Sequence, residues 1–343
     1  MLDKVLTVIV PSYNVEAYLP ETIPTFLRNE VLSKVEVLIV NDGSKDRTAE
    51  IGKQFEKQYP DTVKLVNKEN GGHGSTINKG IQLAKGKYVK VVDADDWVDP
   101  EEFVKYVNEL ENIDVDVILT PFIRVNIDTN QRERKDFDNI EPEKIYDMDE
   151  VLKCLKDSYQ MHSVTFNLRV LKNMRQIDEH CFYVDQEYIL FPFNSICKLE
   201  YLNIPIYQYR VGNQEQSVSI KNMQKNRQMH KKVIDSLLDE RKQHTYTEEK
   251  TDFIDYRIQN LCRRQIDIYF SMGKNKNIKQ ELFSFLGDIK EKDIEIYKNI
   301  PGKKAAFLRH FGIAFYNIYF LLRGNTNEKK KNTCKYNCTN LWC

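Results

Sequence analysis

The strongest constraint on the fold is a set of short β-branched runs, each cut off by polar turn residues. Residues 5–10, VLTVIV, form one such run, and Val35–Val40, VEVLIV, form a second. A surface strand alternates apolar and polar side chains, so a nearly continuous apolar run implies a strand buried on both faces. Pro11 and Asn14 end the first run, and Asn41-Asp42-Gly43-Ser44 ends the second. Val63–Val66 reads as a third short strand and Lys87–Val92 as a fourth. Helices are expected between them at 15–28, 45–59 and about 75–85, with Ser44 as an N-cap for the second. Strands alternating with helices mean βαβ units and a parallel sheet. Ligands of such sheets bind beyond the carboxyl ends of the strands. The clusters Ser12-Tyr13-Asn14, Asn41-Asp42-Gly43-Ser44 and Asp93-Ala94-Asp95-Asp96 are therefore expected to share one crevice.

After about residue 112 the pattern loosens. Strands are expected at Val115–Thr120, Phe122–Asn126, residues 163–170 and Ile204–Arg210, with a loop or hairpin at 128–144 and a helix at 148–158. Phe182–Ile196 reads as a turn plus helix carrying Asp185 and Glu187. From about 220 the period becomes helical, over 222–243, 248–272, 276–290 and 304–323. The expected division is an α/β domain at 1–220, a helical domain at 221–325 and a disordered basic tail at 326–343.

Composition narrows the function classes. Lys+Arg and Asp+Glu balance at 51 each, so no global field favours nucleic acid. The first residues lack the long apolar core and small-residue cleavage site of a signal peptide. No uncharged apolar run reaches the length expected of a spanning helix. Of seven cysteines, Cys154, Cys181, Cys197 and Cys262 sit among apolar neighbours, as reduced core thiols of a cytoplasmic protein would. Cys334, Cys338 and Cys343 cluster in the tail without zinc-site spacing.

Three carboxylates fall within four positions at Asp93, Asp95 and Asp96, straight after a buried strand. A solvated turn capping a helix at Pro100 accounts for Asp99 and in part for Asp96. It does not account for carboxylates at i and i+2 where a buried strand ends. Hard cations such as Mn2+ or Mg2+ take carboxylates together with substrate phosphates. The stretch Asn70–Gly80 fits neither the P-loop nor the dinucleotide pattern. Its glycines still precede a helix and leave backbone N–H groups to meet an anion. Asp42 reads either as a turn residue or as an acceptor for a uracil imide N–H, with Tyr13 as a stacking face.

In this order, Val8-Ile9-Val10-Pro11-Ser12-Tyr13-Asn14, Asn41-Asp42-Gly43-Ser44-Lys45-Asp46, Asn70–Gly80 and Asp93-Ala94-Asp95-Asp96 resemble the family-2 inverting glycosyltransferases. A weaker echo runs to about 220 through Val184-Asp185, Tyr207-x-Tyr209-Arg210 and Ser217-x-Ser219. The resemblance implies a GT-A fold, a nucleotide-sugar donor and a divalent metal, Mn2+ or Mg2+. It implies that Pro11, Tyr13, Asn14, Asp42, Gly72, Asn78, Asp93 and Ala94 hold the donor nucleotide. Asp95 and Asp93 would be metal ligands, with Asp95 first. Asp185 would be the catalytic base, with Glu187 as the alternative because Val184 stands where the family often has Glu. His73, Lys79, Asp96, Arg210 and Ser217 are candidate phosphate or acceptor contacts. Ile77 replaces the family's usual Arg, and Lys68, Lys79 or Arg210 could substitute.

The implied chemistry is consistent with this inventory. An acceptor hydroxyl must lose its proton to a carboxylate as the glycosidic bond forms, and a metal can neutralise the leaving diphosphate. A nucleotidyltransferase would want a more basic phosphate loop, and a silent nucleotide- or sugar-binding module need not keep Asp95 or Asp185. The expected partners are a nucleotide-sugar, with UDP as its nucleotide, and a glycan or lipid-linked acceptor of a cell-surface polysaccharide. Ala305–Arg323 is apolar and aromatic, and Lys303, Lys304 and Lys329-Lys330-Lys331 flank it. Such a pattern suits a membrane-interface helix on the inner face, or a helix packed on protein.

Overall fold

The computed structural model describes residues 4–155, 158–212 and 219–324. The chain divides into two compact units, Met1–Asn213 and Gln214–Cys343.

In the first unit, β1 (Leu6–Ser12), β2 (Val35–Asp42), β3 (Val63–Lys68) and β4 (Tyr88–Val91) form the parallel half of a mixed sheet. All residues of β1, β2 and β4 are buried, as unbroken apolar runs require. The crossovers are α1 (Leu19–Thr22), α2 (Thr48–Gln58) and α3 (His73–Leu83). Beyond β4 come β5 (Trp97–Val98), α4 (Pro100–Leu110), β6 (Val117–Leu119), β7 (Phe122–Asn126), β8 (Arg132–Lys135), β9 (Ile145–Asp147), α5 (Met148–Leu155), β10 (Val164–Asn167), α6 (Leu168–Leu171), α7 (Asp185–Leu190), β11 (Lys198–Tyr201) and β12 (Tyr207–Val211). The large sheet runs β3-β2-β1-β4-β10-β6-β11-β9, and a smaller one runs β5-β12-β7-β8. Strand β1 lies between β2 and β4, so the order reverses there and a crevice opens at the carboxyl ends of all three.

Several local expectations are corrected. The helix at 15–28 shrinks to α1 and a 3-10 turn at Ile23–Phe26, because Pro24 has no N–H to continue an α-helix. Helix α2 begins at Thr48, and Ser44 does not cap it. The Ser44 hydroxyl instead accepts the Asn14 N–H at 3.0 Å. The strand at 163–170 stops at Asn167, whose side chain caps α6. Asp99 caps α4 through the N–H groups of Glu101 and Glu102, as expected. Cys181 is buried, but Cys197 is exposed rather than in a core.

In the second unit, α8 (Ile220–Lys225), α9 (Arg227–Gln243), α10 (Glu248–Ser271), α11 (Lys276–Lys292), α12 (Ile294–Asn299) and α13 (Lys303–Gly324) follow. Leu237, Phe253, Ile258, Tyr269, Leu282 and Phe285 are among its buried residues. Helix α13 kinks at Gly312, whose φ is 52°. Ala305, Leu308 and Tyr316 of α13 turn inward, and the Phe270 ring meets Phe315, Tyr316, Tyr319 and Phe320.

Lys90 stands fully buried in β4. Its ammonium donates to the carbonyls of His162 at 2.9 Å and Val164 at 3.3 Å, and lies 5.6 Å from the Tyr207 ring centre. Burial pushes its pKa down to about 7. Between about pH 7 and the ordinary lysine value the unfolded chain binds this proton more tightly than the folded one, so stability rises with pH across that window. Lys90→Met removes the effect. The difference in Tm, variant minus parent, is expected to be most positive at pH 6 and to fall as pH approaches 10; calorimetry at several pH values measures it.

Candidate active site

The loops after β1 and β2 are tied together by Asn14. It sits at φ 52°, a left-handed conformation that Asn tolerates better than most residues. Its N–H donates to the Ser44 hydroxyl, and its Oδ1 accepts the Lys45 N–H at 2.8 Å. Pro11 is buried at the end of β1, and Tyr13 projects with 51% of its surface exposed.

Asp42 ends β2 with 2% exposure. Its Oδ1 accepts from the Gly71 N–H at 2.9 Å and its Oδ2 from the Gly72 N–H at 2.8 Å. The Lys68 ammonium adds a third donor at 2.7 Å and also reaches the Ser75 hydroxyl at 2.8 Å. The N–H groups of the glycine-rich loop, expected to be left for an anion, are taken up within the chain. Their acceptor is the chain's own Asp42, which in this structure turns to the loop rather than outward to a base. Gly72 has φ 83°, and a Cβ there would stand 3.2 Å from the His180 nitrogen. A Cβ on Gly74 would stand 2.3 Å from the Asp178 carbonyl oxygen. The glycines thus let the segment at 177–181 lie directly on the loop. Asn78, expected to hold nucleotide, grips the same segment, with Nδ2 on the Ile177 carbonyl at 2.8 Å and Oδ1 on its N–H at 3.0 Å. The Lys79 ammonium is engaged along its own helix with Gln82.

The three carboxylates after β4 have three different environments. The Asp93 carboxylate bonds His73 Nε2 at 2.8 Å. Burial opposes the charge on both groups, but their attraction prevails: His73 is raised and Asp93 lowered from the ordinary value. Asp95 is exposed, and its pKa rises to about 6 through loss of solvation and the charge of Asp93. Asp96 is 1% exposed, accepting the Tyr207 hydroxyl at 2.6 Å and the Arg210 N–H at 2.7 Å. Burial, then Asp95 and Asp93, push its pKa well above the usual range. Thr22 closes the turn from below, donating its hydroxyl to the carbonyls of Ala94 and Asp96 at 2.8 and 2.7 Å. The Arg210 guanidinium donates to the Asp95 carbonyl at 2.6 Å and pairs with Glu21 at 3.1 Å, lying over the rings of Tyr18 and Trp97. Arg210 thus props the turn, which its sequence position alone did not show. Ser217 lies outside the described residues.

Asp185 opens α7, half-buried, with the Gln186 amide on its Oδ2 at 2.9 Å. Its charge, with those of Asp93 and Asp95, acts on His73. Glu187 does not suit the alternative role of base. It is fully buried, its Oε2 accepts the Asp178 N–H at 2.7 Å, and its Oε1 has no hydrogen-bond partner among the described residues. Burial raises its pKa to about 8, so near neutral pH the carboxyl is mainly protonated. Glu187 positions the segment that precedes Asp185.

Residues 7–173 match the model of glycosyl transferase family 2. This part of the chain belongs to that family. EpsJ of Bacillus subtilis, an uncharacterized glycosyltransferase, is 28% identical over 215 residues, 60% of each chain. The minor teichoic acid biosynthesis protein GgaB of the same organism is 33% identical over 119 residues, 34% of this chain and 13% of GgaB. The matched region spans 60%, 62% and 31% of the relatives EpsJ, EpsH and GlyA. Among solved structures, S. aureus TarS 1–349 in complex with UDP-GlcNAc superposes with a TM-score of 0.64 at 16% identity, covering 97% of this chain and 95% of that 1–349 chain. The fold is therefore GT-A.

Within this glycosyl transferase family 2 domain a cavity of about 530 Å3 lies beside Tyr13, lined by Gly43, Lys45, Asn67, Lys68, Glu69 and Asn70. It sits against the loop that Asp42 holds. The Tyr207 hydroxyl links both ends of the acidic turn, accepting the Asp93 N–H at 3.2 Å while donating to Asp96. Tyr207→Phe leaves a buried carboxylate short of a donor, at a cost of about 1–3 kcal/mol. Urea unfolding is expected to show that loss as a lower midpoint with an unchanged slope.

Proposed function

We propose that the chain is a metal-dependent inverting glycosyltransferase, moving a sugar from a UDP-sugar to a hydroxyl of a glycan or lipid-linked acceptor in cell-surface polysaccharide synthesis. One observation carries the reading: the charges of Asp93, Asp95 and Asp185 converge on His73. In this reading the carboxylates suited to a cation and the carboxylate suited to a base surround one histidine. The likeness to TarS, whose structure is a complex with UDP-GlcNAc, supports a nucleotide-sugar donor. The mannosyltransferase PcManGT from Pyrobaculum calidifontis, in complex with GDP-Man and Mn2+, supports a donor with a divalent ion; its TM-score is 0.50 at 13% identity.

In this reading the exposed Tyr13 ring stacks on the base, and Pro11, Asn14 and Gly43 shape the floor around it. Asp42 and Gly72 keep the glycine loop closed against the base site, and Asn78 keeps 177–181 in place. Asp93 and Asp95 would hold Mn2+ or Mg2+, whose role when bound is to neutralise charge on the leaving diphosphate. Among the described residues, ligand atoms of Asp93 and Asp96 lie within 4.8 Å of each other in a group that could hold a metal ion, and Asp95 is not part of that group. Asp185 takes the acceptor's hydroxyl proton as its oxygen attacks the anomeric carbon from the face opposite the diphosphate. One displacement inverts the centre, and no covalent intermediate is needed.

We also assign the chain to the inner membrane face, through α13. Phe307, Phe311, Ile313, Ile318, Leu321 and Leu322 of this helix are exposed. The helix has no Asp or Glu, and its start carries Lys303 and Lys304. The tail beyond it, outside the described residues, holds Lys329, Lys330, Lys331 and Lys335 against a single Glu328. An apolar face flanked by cations matches an anionic lipid surface. By length and composition the helix could also span a bilayer, but its inward face packs on α10.

Release of UDP from a panel of UDP-sugars with Mn2+ is expected, with loss on adding chelator; no release with any donor and a broad acceptor panel overturns the assignment. Asp185→Asn is expected to lower transfer at least about a thousandfold while leaving UDP affinity intact, measured by calorimetry. In co-sedimentation, vesicles with phosphatidylglycerol should retain the full chain and pure phosphatidylcholine should not; Phe311→Ser with Leu321→Ser should weaken retention. Equal retention by the double variant removes α13 from the interface.

A further inference from the structure

His162 is absorbed by none of the roles above. It precedes β10 and lies far in sequence from every carboxylate of the acidic turn, so no ligand spacing marks it. In the fold its ring is walled by Tyr209, Tyr207 and Phe122, with centroids at 4.2, 4.9 and 5.3 Å. These three rings pack around the imidazole. Nδ1 is buried and, among the described residues, has no hydrogen-bond partner. Buried polar atoms are almost always paired, so an orphaned one calls for a specific explanation. One nitrogen of the ring lies in a cluster whose other members are carboxylate oxygens of Asp93 and Asp96, all within 4.8 Å of one another.

The chemical state of the ring suits a ligand. A neutral imidazole keeps a lone pair on one ring nitrogen that it can offer to a metal ion. Asp96 has Tyr207 on one oxygen and the Arg210 N–H on the other, and each oxygen retains a second acceptor position. Its two partners orient it as outer-shell hydrogen bonds orient metal-bound carboxylates.

We infer that His162 supplies a nitrogen ligand to the divalent cation held at Asp93, making a mixed oxygen–nitrogen site that favours Mn2+ over Mg2+. Imidazole binds Mn2+ better than the harder Mg2+, which prefers carboxylate, phosphate and water oxygens. The inference rests on the metal-dependent reading above and adds a residue and a selectivity to it.

The test is Mn2+ binding to the whole chain in the presence of UDP, read by electron spin resonance and pulsed measurement of nitrogen coupling. Parent protein is expected to bind Mn2+ with a nitrogen signal that changes when its histidines carry 15N. His162→Gln is expected to lose that signal and bind Mn2+ about tenfold or more weakly, with Mg2+ affinity changed less than about threefold. His73→Gln serves as the control, because His73 is the other imidazole beside Asp93; it should keep the signal. Parent protein that binds no Mn2+ with UDP overturns the metal-dependent reading itself. Mn2+ binding without nitrogen coupling, or coupling lost in His73→Gln and kept in His162→Gln, overturns only the role of His162. Should His162→Gln fail to fold, as circular dichroism would show, the isotope comparison on the parent and on His73→Gln decides the matter.

Discussion

A carboxylate 1% exposed in the turn between β4 and β5 must be fed hydrogen bonds, and Asp96 obtains them from β12 of the smaller sheet. Without donors, a charge so placed would cost several kcal/mol or be neutralised. Tyr207 and Arg210 meet that need, and in doing so they join the end of β4 to β12. The other features of the turn follow. Arg210 is close enough to hold the Asp95 carbonyl, Tyr207 takes the Asp93 N–H, and Thr22 reaches two carbonyls from the opposite side. The turn is therefore braced from two elements, β12 and α1, and Asp93 and Asp95 stand on a backbone held from both.

Asp42 shows the same logic on the donor side. Two adjacent glycine N–H groups and one lysine converge on its carboxylate, which pins the loop that the segment at 177–181 lies upon. Asn78 grips that segment from below, and Glu187 accepts an N–H from Asp178 within it. A few residues further on stands the half-buried Asp185. A chain of hydrogen bonds and tight backbone contacts thus runs from the base pocket to the proposed base. Glycine is required at position 74 because backbone oxygen already occupies the space of a Cβ.

The βαβ order, the crevice and its three polar clusters were legible because each rests on contiguous residues. Buried strands declare themselves as unbroken apolar runs, and Asp99 declares itself by preceding a proline at a helix start. The direction in which each polar side chain turns was not legible. Asp42 and Gly71 are 29 residues apart, and Tyr207 and Asp96 are 111 apart, so nothing local showed that these groups would satisfy one another. For the same reason Arg210 read as a phosphate contact rather than a prop. Glu187 read as an alternative base because burial belongs to the packed fold and not to the motif. Helix α1 was overextended because apolar periodicity outweighed Pro24, whose missing N–H the helix cannot tolerate.

Three carboxylates crowded into four residues are stable together because no two of them are neutralised in the same way. Asp93 leans on the His73 imidazole, Asp95 faces solvent, and Asp96 is held by hydrogen bonds at a raised pKa. Lys90, buried below Tyr207, leaves its cation on carbonyls rather than on any of the three. The positive partner of Asp93 is thus a half-buried histidine that a dication would have to displace or share. A side chain that is protonated in one state and neutral in another can yield in this way, whereas a buried arginine in that place would not. The acidic turn combines a rigid backbone with a replaceable counter-charge, and the proposed binding and release of a charged donor would call on both.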